Sequence, residues 1–155
     1  MESSNTDGAA WRADLSGEAA RVVHFFENLD AVTVEHVERI YADDAYFKDP
    51  FNEVRGVAHV RRIFLHMFEQ VDDPRFAVLA AVQQGPQVFL TWDFRFRMKR
   101  FDTRSRQTIR GASHLRFAAD GRIAFHRDYW DAAEELYEKL PLLGALMRWL
   151  KRQAA

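Results

Sequence analysis

VFLTWDFRFRM, running from Val88 to Met98, alternates strictly between two kinds of side chain. Val88, Leu90, Trp92, Phe94, Phe96 and Met98 form one apolar row, and Phe89, Thr91, Asp93, Arg95 and Arg97 form a mostly polar one. Successive side chains of a strand point to opposite faces, so this period marks a strand with one buried face. Most strands have about 5–6 residues, and a longer one predicts the spine of a curved sheet with the remaining elements packed on its apolar side.

Working outward, Gly85-Pro86, the polar run Phe101–Arg106 and Asp120-Gly121 separate four predicted strands: Arg75–Gln84, Gln87–Arg100, Gln107–Phe117 and Arg122–Trp130. The gaps are short enough for hairpins, so an antiparallel meander is expected. Upstream the pattern is helical. Ser16 is placed to cap a helix to about Leu29, with Glu18 in its first turn and Ala19, Val22, Val23, Phe25, Phe26 and Leu29 on one face. Thr33 is placed to cap a second, short helix through Tyr41, which Asp43 and Asp44 break. Tyr46 to Asp49 reads as a short strand stopped by Pro50. Gly56 precedes a third helix to about Gln70, whose buried face is Val57, Val60, Ile63, Phe64, Met67, Phe68 and Val71, with Asp72, Asp73 and Pro74 ending it. Helices followed by strands imply an α+β fold with the helices on one face of the sheet.

Residues 1–15 are polar and small around a lone Trp11 and read as a flexible segment. Residues 16–152 read as one domain, closing in a helical extension over 131–152. In that extension Ala132, Ala133, Leu136 and Tyr137 keep helical spacing, Pro141 interrupts, and the amphipathic LLGALMRWLKR ends in basic residues. A helix this short suits covering a pocket mouth or packing on a partner subunit better than lying on a membrane.

The 155 residues carry an ordinary balance, 48% hydrophobic and 29% charged. There is no Cys, which excludes disulfide and thiolate chemistry. The N-terminus lacks a basic start and an apolar run, and no stretch approaches the ~18 apolar residues of a membrane span; a cytoplasmic location without membrane attachment is expected. Thirteen Phe and four Trp are enough to line a cavity for an apolar ligand as well as to fill a core. Charge is segregated: residues 1–87 hold 8 Lys/Arg against 15 Asp/Glu, a net −7, whereas residues 88–130 hold 10 against 4, a net +6. Arg95, Arg97, Arg110, Arg116 and Arg127 fall on the outward rows. Because the chain as a whole is at −1, this basic face suits a polar dimer interface better than nucleic acid.

In Gln107–Phe117 the row Ile109, Gly111, Ser113, Leu115 and Phe117 must face inward, because Arg110, His114 and Arg116 on the other row could not be buried unpaired. In the last strand both rows, Ile123, Phe125, Arg127, Tyr129 and Ala124, His126, Asp128, Trp130, mix polar with apolar groups, and alternation does not choose between them. If the second row faces in, His126, Asp128 and Trp130 enter an otherwise apolar concavity.

The segments IYADDAYFKDPFNEVRGVAHVRRIF, from Ile40, and LRFAADGRIAFHRDYWD, from Leu115, resemble the ketosteroid isomerase, nuclear transport factor 2-like and SnoaL-like superfamily. The resemblance covers Ser16 to about Asp131. It implies a cone-shaped α+β barrel, in which a curved sheet wraps a long helix around a deep pocket, and a homodimer through the outer sheet face. It places Asp49 where ketosteroid isomerases carry their general base, and Asp128 and Trp130 on the pocket row of the last strand, where SnoaL-like cyclases place an acid/base Asp. The oxyanion-hole positions of the isomerases align with Phe25 and Ser113, which cannot supply that hole; the trailing HRDYWD resembles the SnoaL-like members more. The implied activity is a proton transfer beside the carbonyl of an apolar small molecule, with no cofactor, in an isomerisation or cyclisation.

Each candidate has a plainer reading. Asp49 before a proline is either a base or a turn residue holding backbone N–H groups. Asp128 and His126, two apart on one face, are either an acid/base pair beside Trp130 or a satisfied ion pair, on the dimer face or with Arg110. Trp92 and Phe94 line a pocket or only fill the core, and Tyr46 and Ser113 are possible donors to a ligand carbonyl. His59 and His66 are seven apart on the third helix and lack metal-ligand spacing, so no metal is expected. Two alternatives to an enzyme remain open: a non-catalytic ligand-binding protein, and a dimeric interaction domain with a filled core.

Overall fold

The computed structural model describes residues 7–100, 102–135, 146, 148–150 and 152–153. In chain order its strands are β1 Tyr41–Lys48, β2 Glu53–Arg55, β3 Val71–Gln84, β4 Gln87–Met98, β5 Arg106–Phe117 and β6 Ile123–Tyr129. The helices are α1 Gly17–Glu27, α2 Ala31–Val34, α3 Val57–Gln70 and α4 Ala132–Glu135.

β4 is the spine expected of it. Val88, Leu90, Trp92, Phe94 and Phe96 are buried while Phe89, Thr91, Arg95 and Arg97 are exposed. β3, β4, β5 and β6 form the antiparallel meander, and the six strands make one sheet in the order β2-β1-β6-β5-β4-β3. β1 adds to β6 in parallel and β2 pairs antiparallel with β1. The sheet ends in two edges and does not close, so the implied barrel is an open one. α1 packs on β3, and α3 on β1, β2 and β3, so the helices cover the inner face. Ser16 caps α1 as the sequence suggests: its Oγ accepts from the Ala19 N–H at 3.2 Å, and its own N–H donates to Gln83 on β3 at 2.8 Å.

Four departures from the sequence reading stand out, and in two of them, at β1 and β3, strand pairing absorbs residues that locally read as breakers. The short second helix is α2, capped by Asp30 and followed by a separate 3-10 turn over Val37–Arg39; Thr33 closes a capping box instead of starting the helix. Tyr41 is not helical but the first residue of β1, because Asp43 and Asp44 sit in a bulge between the Tyr41↔Ile123 and Tyr46↔Phe125 pairs. β3 begins at Val71, ahead of Asp72-Asp73-Pro74. A bulge between Asp72 and Arg75 takes up Asp73, at φ 48°, and Pro74, on an edge strand where a missing donor is tolerated. The N-terminal segment expected to be flexible carries a 3-10 helix over Asp7–Asp14, with Arg12 paired to Glu27 at 2.8 Å. Beyond α4, most of the helical extension, including Leu136, Tyr137 and Pro141, lies outside the described residues.

Candidate functional site

The inner face owes its shape to one small residue. Gly111 lies opposite Trp92 in the β4–β5 pair, and a Cβ there would stand 2.4 Å from the indole. The indole therefore lies across the glycine, and its Nε1–H donates to Ser113 Oγ at 2.8 Å. Ser113 donates in turn to Asp128 Oδ1 at 2.5 Å across the β5–β6 pair. A bulge resolves the ambiguity of β6. Phe117 pairs with Ile123 but Arg116 with Phe125, so Ala124 is the extra residue. Ile123 can then face inward together with His126 and Asp128, and no single alternating row describes the strand.

His126 is 2% exposed. Its Nε2 lies 2.6 Å from Asp128 Oδ1, and its Nδ1 lies 2.7 Å from the hydroxyl of Tyr41, which is fully buried. One proton arrangement satisfies the whole row: neutral His126 donates from Nε2 to Asp128 and accepts at Nδ1 from Tyr41. Burial, with a smaller contribution from the Asp128 charge, pushes the Tyr41 phenol well above its ordinary range and keeps it a donor. Trp92, Ser113, Asp128, His126 and Tyr41 thus form one continuous hydrogen-bonded chain. It holds Oδ1 of Asp128 twice, and no described residue reaches Oδ2.

Asp128 stands at the wall of a cavity of about 480 Å³ that is bordered by Phe47, Ile63, Phe64, Met67, Phe94 and Ile109 among others. A small recess of about 30 Å³ continues behind it, past Ser113 and His126 to Phe26 and Leu90. Phe76 stacks on Phe94 at 4.4 Å and meets the Trp92 ring edge-on at 5.5 Å. Ile63 and Met67, expected as core, are only half-buried because the cavity lies beneath them.

Of the residues singled out in the sequence, Asp128, Asp49, Trp92, Phe94 and Trp130 line the cavity, and Ser113 and His126 line the recess. Asp49 is engaged elsewhere: Oδ1 accepts from the N–H groups of Phe51 and Asn52 at 2.7 and 2.6 Å, and Oδ2 from the Asn52 amide at 3.0 Å. This is the turn geometry of its plainer reading. Tyr46 is on the opposite face of the sheet, stacked on Phe125 at 5.3 Å with its hydroxyl donating to Glu53, and it reaches no cavity ligand. Phe25 lines neither space; its neighbour Phe26 does, because α1 turns that side chain toward the recess. Arg110 pairs with Glu135 of α4 at 3.7 Å instead of with Asp128. Sequence reasoning missed Tyr41, which it placed in a helix, and Phe76. A strand assignment beginning at Tyr41 would have put its ring on the inner face.

Among the described residues no three His, Asp or Glu side chains gather closely enough to hold a metal ion, and no helix is long and apolar enough to cross a membrane. On the outer face, Phe89 stacks on His114 at 4.2 Å and His114 meets Phe125 at 5.1 Å; Arg116 lies over Phe125 and Arg127 over Tyr129.

The family model of the SnoaL-like domain matches residues 22–126. A nuclear transport factor 2-like protein of unknown function from Burkholderia pseudomallei superposes with a TM-score of 0.67 at 18% identity, over 77% of this chain and 95% of the other. An LEH-like epoxide hydrolase from M. tuberculosis gives 0.62 at 21% identity, over 76% and 86%. A protein described as a SnoaL-like polyketide cyclase from Shewanella putrefaciens gives 0.65 at 15% identity, over 79% and 97%. No curated protein sequence matches the chain. At these identities the solved structures share the fold and nothing finer, but the family match spans α1 to β6 and includes the whole hydrogen-bonded chain apart from Asp128, so this protein belongs to the SnoaL-like domain family.

Proposed function

We propose that this protein moves a proton on an apolar carbonyl compound held in the cavity, with Asp128 as the acid/base group and no cofactor. One observation carries the reading: Asp128, which lines an aromatic-rich space, is anchored through Oδ1 by Ser113 and His126, while its Oδ2 has no partner among the described residues. A fixed carboxylate with one free oxygen in an apolar site can take a proton from carbon beside a carbonyl and return it elsewhere, as a C–H bond breaks, an enolate forms and a new C–H bond closes. His126 and Tyr41 do not touch the ligand in this scheme; they hold the carboxylate. Trp130 lines the cavity, and its indole N–H has no partner among the described residues, which makes it the donor proposed for the carbonyl oxygen. Asp49, with both oxygens engaged, is assigned to shaping the mouth. The working assembly is a homodimer through the aromatic and arginine-covered outer face of β4, β5 and β6, in a cytoplasmic setting.

Hydrogen–deuterium exchange into a panel of cyclic ketones, followed by mass spectrometry, tests the reading without knowledge of the natural substrate. Asp128→Asn is expected to abolish protein-dependent exchange and to retain ketone binding. Full exchange in that variant would overturn the assignment. Binding without exchange in the native protein favours the second reading, a ligand carrier, for which the aromatic-lined cavity is the supporting observation.

A further inference from the structure

The rim of the cavity carries a charge that the proton-transfer reading does not use. His59, Arg62 and His66 lie on one side of α3, at spacings of three and four residues, and all three border the cavity above Ile63, Phe64 and Met67. His66 is held by Glu69 and Gln70, each at 3.3 Å. Arg62 and His59 have no hydrogen-bond or ion-pair partner among the described residues. The adjacent Arg61, pointing away, is tied to Glu38 at 2.7 Å. The carboxylates that share the cavity offer Arg62 no such partner: Asp49 spends both oxygens on its own turn, and Asp128 is fixed at the inner wall by Ser113 and His126. The space is therefore mostly apolar, carries two carboxylates, Asp49 and Asp128, that are each held by other groups, and has an open guanidinium at its rim.

We propose that the ligand of this cavity is an apolar molecule bearing one carboxylate, bound with its acidic head at Arg62 and His59 and its uncharged end toward Asp128. The inference rests on the reading of the cavity as a ligand site. The unpaired cation decides the orientation: an acid turned the other way would meet the Asp128 carboxylate without a guanidinium beside it, whereas at the rim Arg62 offsets both the ligand's charge and that of Asp49. Arg62 can grip a carboxylate through two parallel N–H donors, and His59 can add a third. A head group held at the rim would also fix how far the ligand body enters, and so which carbon meets Oδ2.

Isothermal titration with 2-naphthoate and its neutral methyl ester tests this on the native protein, R62M and I63W. The native protein is expected to bind the acid about tenfold more tightly than the ester, the ratio a charge-assisted pair supplies. R62M should lose that preference by weakening the acid and leaving the ester unchanged, and I63W should weaken both by narrowing the mouth. Equal binding of acid and ester by the native protein, or a preference that survives in R62M, overturns the acidic head group and leaves the cavity reading standing. Binding of neither probe, or binding of both that I63W does not disturb, overturns the cavity reading and this inference with it.

Discussion

Gly111→Ala is the sharpest probe of how the site is built. The added methyl would lie 2.4, 2.5 and 2.9 Å from three ring atoms of Trp92, far inside van der Waals contact, so the indole must move. The cavity beside it is where it could go, but it is 6% exposed, meets Phe76 edge-on and donates to Ser113, so moving it gives up those contacts. Overpacking a tight core costs about 1–3 kcal/mol, and losing the Trp92–Ser113 bond adds about 1 kcal/mol. Replacing glycine by alanine within a strand returns about 0.5–1 kcal/mol of backbone entropy. The net expectation is a loss of about 1–3.5 kcal/mol in urea unfolding. Specificity comes from a double-mutant cycle with Trp92→Phe, which removes the part of the ring that the methyl strikes. The double variant should be more stable than the sum of the single losses by at least about 1 kcal/mol. A Gly111→Ala loss below about 0.5 kcal/mol, or losses that simply add, would show that Trp92 does not lie across Gly111.

Tyr41→Phe tests the buried end of the same chain. It leaves His126 Nδ1 without a donor and is expected to cost about 1–3 kcal/mol at neutral pH. The Tyr41 pKa is raised in the folded protein, so its contribution is complete below the unfolded value of about 10 and is lost as pH rises above it, with a slope of at most about 1.4 kcal/mol per pH unit. Thermal unfolding between pH 8 and 11 should therefore fall more steeply for the native protein than for the variant, and parallel curves would contradict the assignment. Asp49→Ala should lower stability by about 1–2 kcal/mol through loss of the turn while leaving ketone exchange measurable, since its oxygens hold backbone N–H groups; complete loss of exchange in a folded variant would return Asp49 to the catalytic group. Phe89→Arg, on an outer face where Phe89 is 53% exposed, should convert a dimer to the 18.1 kDa monomer in sedimentation; a native protein that already sediments at that mass removes the dimer proposal.

Much of this protein could be read from local pattern, because period and face are properties of the chain itself. The alternation of Val88 to Met98 determines a half-buried strand wherever its neighbours lie, and Ile109, Ser113 and Leu115 face inward because Arg110, His114 and Arg116 on the other row cannot. Ser16 announces α1 by capping chemistry that needs only the next three residues. The family itself was legible from Ile40 to Phe64 and from Leu115 to Asp131.

Pairing between distant segments settled what local pattern could not. Whether Asp128 or Arg127 enters the cavity depends on a single extra residue at Ala124, which is set by how β6 registers against β5 and carries no signature of its own. Tyr41 became a donor to His126 only because β1 lies parallel beside β6, 85 residues further along the chain. The same sequence features that mark Asp49 as a candidate base also suit a turn, and only the folded positions of Phe51 and Asn52 commit its oxygens to the turn. Residue type and spacing determine which faces are buried, whereas register determines which polar atoms meet, and chemistry at this site depends on the second.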